Sequence, residues 1–207
     1  MKSMAWRVVA GAAVLASIGA ASVSVASAQA PQTVRVRGAI EKVDGNTVVV
    51  KAVDGADVTL TLTANAQIVG VVKATLADIK PGDFVGSAAM PQADGSQKAL
   101  EVHIFAESQR GTGEGHRPYT VPGSTMTNGT VGDMVTASDG QSLTVKYKDG
   151  EKKIVVPPGV PIVRYEVGDR SELKPGVHVV ALNAVKKADG TIEAPRLNVG
   201  RGDIVPQ

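Results

Sequence analysis

An internal repeat constrains this chain more than any other feature of its sequence. Six landmarks recur in the same order, 91 to 95 residues apart. Gly38 in Val36-Arg37-Gly38-Ala39-Ile40 matches Gly129 in Thr127-Asn128-Gly129-Thr130-Val131. Thr47-Val48-Val49-Val50-Lys51 matches Ser142-Leu143-Thr144-Val145-Lys146, and Asp54-Gly55 matches Asp149-Gly150. Ile68-Val69 matches Ile162-Val163, and Asp94-Gly95 matches Asp189-Gly190. The strongest match sets Leu76-Ala77-Asp78-Ile79-Lys80-Pro81-Gly82 against Arg170-Ser171-Glu172-Leu173-Lys174-Pro175-Gly176. Ordered self-similarity of this kind marks two copies of one fold.

Each copy reads as short strands. In the first, Thr47 to Val53 is a β-branched run followed by Asp54-Gly55, a tight-turn signal. Val58 to Leu62 alternates apolar and polar residues, setting Val58, Leu60 and Leu62 on one face. Asp83 to Ala89 and Lys98 to Phe105 supply two more strands. The second copy repeats the series at Leu143 to Tyr147, Lys152 to Val156, Val177 to Leu182 and Ile192 to Val199. One helical turn near Leu76 to Ile79 is stopped by Lys80-Pro81-Gly82. About five strands in roughly 75 residues predict a small closed barrel, because closure removes exposed edges. The expected fold is therefore all-β, with two tandem OB-like barrels; an SH3-like barrel or an open sandwich is the alternative.

The start of the chain reads as an address. Lys2 and Arg7 precede an uncharged stretch of Ala, Val, Leu, Ile, Gly and Ser, which ends in Ala26-Ser27-Ala28. A basic start, an apolar middle and an A-x-A site predict a cleaved secretory signal peptide over residues 1–28. No further segment is long and apolar enough to span a bilayer as a helix. The division expected is residues 1–28 as signal peptide, 29–105 and 126–207 as the barrel repeats, and 106–125 as a Gly-rich loop between them. Removing residues 1–28 takes two of the 22 basic residues and none of the 20 acidic ones, so the remaining chain is charge-balanced. It also removes the single tryptophan, Trp6, leaving five aromatic residues. A neutral, aromatic-poor chain argues against nucleic-acid binding. The absence of cysteine excludes disulfides, thiolate metal sites and thiol nucleophiles.

The pattern resembles a family of secreted bacterial proteins with a repeated OB-like β-barrel domain of unknown function. The likeness rests on Gly38-Ala39-Ile40-Glu41, the Val-rich strand, Asp78-Ile79-Lys80-Pro81-Gly82-Asp83-Phe84-Val85 and the segment from Arg110 to Val131. It implies a barrel fold and a periplasmic or secreted location, and no activity.

Residues 106–125 concentrate Arg110, Glu114, His116, Arg117 and Tyr119 among four glycines. Glycines let backbone approach a ligand, and two arginines can clamp a carboxylate or phosphate, so this loop is one candidate contact surface. The competing reading is a linker whose Tyr119 and Pro122 pack across the barrels. Metal binding is the other candidate chemistry. Glu101 and His103 share one face of a strand, and His116 follows in the loop, a set suited to zinc or copper. No His-x-His or His-x3-His spacing supports a local site. A nucleophile elbow and a His-Glu-x-x-His motif are also missing, so no enzyme is expected. Arg201-Gly202-Asp203 spells an adhesion tripeptide but reads as a remnant of the repeat. The expectation is a non-catalytic role toward an envelope protein or a small envelope ligand, with metal handling as the alternative.

Overall fold

The computed structural model describes residues 32–137 and 140–207; the expected signal peptide lies outside them. Among the described residues there are twelve strands: β1 (Gln32–Asp44), β2 (Thr47–Ala52), β3 (Asp57–Lys73), β4 (Phe84–Pro91), β5 (Gln97–Ile104), β6 (Gly115–Pro118), β7 (Thr125–Ala137), β8 (Gly140–Tyr147), β9 (Gly150–Val156), β10 (Ile162–Val167), β11 (His178–Lys186) and β12 (Ile192–Gly200). The fold is all-β and closes on itself as a barrel. Among the described residues, no helix is long and apolar enough to cross a membrane.

The alternation read from sequence sets the inward faces. Val48, Val50, Leu60 and Leu62 are fully buried, while Thr47, Val49, Thr59 and Thr61 between them keep partial or full access to solvent. Gly38 and Gly129, the first repeat landmarks, stand where backbone crosses backbone. A Cβ on Gly38 would lie 1.9 Å from the Lys51 carbonyl oxygen, and one on Gly129 would lie 2.3 Å from that of Lys146. The match therefore has a steric cause, since no larger residue fits so close an approach.

Strand pairing does not follow the boundary between the copies. One ring runs β1, β2, β3, β12, β11 and back to β1. The other runs β7, β8, β9, β5, β4 and back to β7. Each ring takes three strands from one copy and two from the other. Neither expected barrel segment, 29–105 nor 126–207, closes a ring by itself, because ring one is split and takes its last two strands from the end of the chain. Ring two is contiguous in the chain, inserted between β3 and β10. The cause lies in β3. It extends through Ala64-Asn65-Ala66-Gln67, a stretch with the polarity of a loop, and continues to Lys73. That far end pairs with β10, which also lies alongside β5.

The single turns seal the rings in the same crossed manner. A 3-10 turn, Leu76–Asp78, is held by Thr75, whose backbone N–H and hydroxyl both donate to the Asp78 carboxylate. It delivers Ile79, 3% exposed, into the core of ring two beside Leu143, Val145 and Ile154. Its repeat equivalent, Arg170–Glu172, is capped by Asp169 and delivers Leu173 into the core of ring one. A third apolar cluster joins the rings: Val69, Val71, Phe84, Phe105 and Tyr165.

Candidate functional site

The segment 106–125 is more structured than its glycines suggest. It contains a 3-10 turn at Glu107–Gln109 and then β6, which pairs with β7 so that His116 faces Thr127 and Arg117 faces Met126. Three of the five side chains expected to bind a ligand are spent on local contacts. Arg110 donates to both carboxylate oxygens of Glu107 at 2.6 and 2.7 Å, donates to the Gly82 carbonyl at 3.0 Å, and lies over the Phe84 ring. Glu114 accepts the Lys148 backbone N–H at 3.0 Å. His116 meets the Thr127 hydroxyl at 2.8 Å and stacks against Tyr147. Its burial, aided by Lys152, holds its pKa below the usual histidine value.

The other two, Arg117 and Tyr119, line a cavity of about 440 Å³ at the junction of the rings. This is within the size range of small-molecule sites. Arg35 from β1 and Arg196 from β12 line it too, together with Glu101, His103, Asn128 and Tyr165. Arg35, Arg117 and Arg196 bond only to neutral groups: the Thr120 hydroxyl, the Gly113 carbonyl and the Asn198 side-chain oxygen. Among the described residues, no carboxylate lies within ion-pair distance of these three guanidinium groups. Glu101 is the single acid in the lining, so the cavity carries excess positive charge.

Its floor is aromatic and polar. The His103 ring stacks on Tyr165 at 4.8 Å and meets the edge of Phe105 at 4.8 Å. Arg196 lies over the Tyr165 ring, 5.5 Å from its centroid. Burial, reinforced by Glu101, raises the Tyr165 pKa and keeps the phenol protonated. Burial pulls the Arg196 pKa down, yet a guanidinium starts high enough to stay charged. Of the five buried side-chain polar atoms without a hydrogen-bond partner among the described residues, two belong to residues of this lining: His103 Nδ1 and Asn128 Oδ1. The nearest acid to His103 is Glu101, with Oε1 3.8 Å from Nδ1, too long for a hydrogen bond. Both residues crowd over Gly86, where a Cβ would sit 2.0 Å from His103 Nε2 and 2.6 Å from Asn128 Oδ1.

The set expected for zinc or copper is not assembled. Glu101 and His103 are neighbours, but His116 belongs to the separate contact with Thr127 and Tyr147. Among the described residues, no three His, Asp or Glu side chains gather closely enough to hold a metal ion. Arg201 of the adhesion-like tripeptide is held by Glu172 and Glu166, which occupies its guanidinium inside the fold.

Arg35, Arg196, Asn128 and Gly86 were not singled out by sequence reasoning. They lie on four strands and meet only through barrel closure. One signal was visible. Glu101 and His103 stand at the repeat positions of Arg196 and Asn198, a pair of polar positions inside otherwise apolar strands. Comparison with known proteins returns no matching family model, no matching curated protein and no matching solved structure.

Proposed function

We propose that this chain is a non-catalytic, periplasmic or secreted bacterial binding module that takes a small anionic ligand between two OB-like barrels. The OB-like description rests on ring order. In each ring three antiparallel strands are followed by a parallel neighbour, and a one-turn plug precedes the fourth strand of the repeat. The location rests on the n-region, apolar stretch and Ala26-Ser27-Ala28 site.

One observation carries the ligand reading. Three arginines free of carboxylates line the same cavity. Guanidinium groups match carboxylate and phosphate geometry through paired N–H donors. A protein partner enters through the same chemistry, by presenting an acidic side chain or a terminal carboxylate.

The test is isothermal titration of the protein, recovered from the periplasm, with citrate, succinate and phosphate. Saturable binding of at least one anion is expected. Charge-assisted hydrogen bonds contribute about 1.5 to 3 kcal/mol each, so Arg117→Ala with Arg196→Ala is expected to weaken binding by about a hundredfold or more. Affinities unchanged by the double substitution, or no saturable heat with any anion, refute the assignment.

A further inference from the structure

The cationic cavity has a second chamber. A cavity of about 380 Å³ adjoins it and shares Arg35, Glu101, Tyr119, Thr120, Tyr165 and Gln207 in its lining. The character changes across that boundary. Beyond the shared residues the wall is apolar: Val71, Leu100, Val121, Val163, Ile204 and Val205. Three of these are unusually open to solvent for apolar side chains, with Leu100 at 41%, Val121 at 47% and Val205 at 40%. Among the described residues six large apolar side chains are exposed, and these three gather at one chamber. Isolated exposed apolar residues are ordinary, whereas a cluster beside a charged site is a recognition surface.

We infer that the ligand is an amphiphile: an anionic head, carboxylate or phosphate, carried on an apolar body. The inference rests on the anion-binding reading of the first chamber and adds the identity of the second. The head lies among Arg35, Arg117 and Arg196, and the body runs past Tyr119 and Tyr165 onto the valine-lined wall. Arg35 and Tyr119 suit the boundary, since each presents an apolar stem or ring and a polar tip. The geometry disfavours a purely hydrophilic anion, which would leave the second chamber's apolar wall in contact with water.

The test compares four probes on the intact protein: acetate and inorganic phosphate as heads alone, and decanoate and decyl phosphate below their micellar concentrations as heads with tails. Each methylene removed from water tightens binding by about fourfold, so four buried methylenes give on the order of a hundredfold over the head alone. Decanoate better than decyl phosphate assigns the head as carboxylate, and the reverse assigns it as phosphate. Leu100→Gln with Val121→Gln changes two exposed side chains without adding charge beside the arginines, and circular dichroism checks that the variant keeps its fold. It is expected to abolish the tail's advantage and leave acetate and phosphate binding unchanged. Equal affinity for tailed and untailed probes overturns the inference while the anion reading stands. So does decanoate and decyl phosphate affinity left intact by the two glutamine substitutions. Tail-dependent binding that is indifferent to Arg117→Ala with Arg196→Ala overturns both, because the head would then contribute nothing.

Discussion

Replacing Ile79 by alanine separates interleaved rings from copies that fold on themselves. Ile79 belongs to the first copy in sequence, yet it is buried in ring two with Leu143, Val145 and Ile154 of the second copy. The substitution removes three carbons. At about 0.8 kcal/mol for each methylene-sized group the lost transfer energy is about 2.4 kcal/mol. Incomplete collapse around the vacated volume raises the cost to about 3 to 4 kcal/mol. For a unit of this size each kcal/mol lowers Tm by roughly 2 to 4 °C, so a fall of about 6 to 15 °C is expected. Thermal unfolding followed by circular dichroism measures it. Amide hydrogen exchange then locates it: β8 and β9 lose protection while β2 keeps its own. Leu173→Ala gives the reciprocal pattern, loosening β2 and sparing β8, because Leu173 seals ring one. Loss of protection in β2 after Ile79→Ala, or a Tm change under about 2 °C, refutes the crossed assignment of the two plugs.

Two further substitutions have defined outcomes. Gly38→Ala drives a Cβ into the Lys51 backbone and is expected to cost about 1 to 3 kcal/mol by overpacking. Gly132→Ala meets only the flexible end of Lys146 and is expected to be near neutral, so equal denaturation midpoints for the two variants contradict the close approach at Gly38. His116 has its pKa lowered by burial, so the unfolded chain binds its proton more readily. That contribution to stability is complete above the unfolded value of about 6.5 and is lost as pH falls through it toward the folded pKa. Urea midpoints between pH 7.5 and 5 are expected to decline less in His116→Gln than in the unaltered protein, and parallel declines refute the attribution.

The parts of the fold legible in the sequence are those governed by local chemistry. Leu60 and Leu62 turn inward with Val58 partly buried beside them, because alternation fixes the face of a strand. The turn at Leu76–Asp78 was legible from its Lys-Pro-Gly stop, whereas the matching turn at Arg170–Glu172 and the burial of Ile79 and Leu173 in the two cores emerge only from the fold. Which ring each plug enters was not legible. That depends on whether β3 turns back after Leu62 or runs on, and exposed Ala64, Asn65 and Gln67 carry the composition of a turn. Pairing with β12 on both sides of this stretch keeps it extended, a non-local cause that no short window contains. The site divides along the same line. Arg117 and Tyr119 stood out in a glycine-rich segment, whereas Arg35 and Arg196 resemble ordinary outward-facing residues of strands until the ring junction brings them together.

The interleaved order of strands also sets a timetable for folding. Ring two draws on residues between Phe84 and Val156, so it has all its strands once Val156 has been synthesised. Ring one starts with β1 and stays incomplete until Gly200. In the interval β1, β2 and β3 form an open three-stranded sheet whose outer edges await the β11–β12 hairpin. Pairings as distant as Thr33 with Val185 are slow to form. Open edges are also where separate chains join. A neighbouring chain's hairpin fits that gap by the same pairings, so refolding at high protein concentration is expected to yield exchanged dimers, read by size-exclusion chromatography, that dilution during folding suppresses.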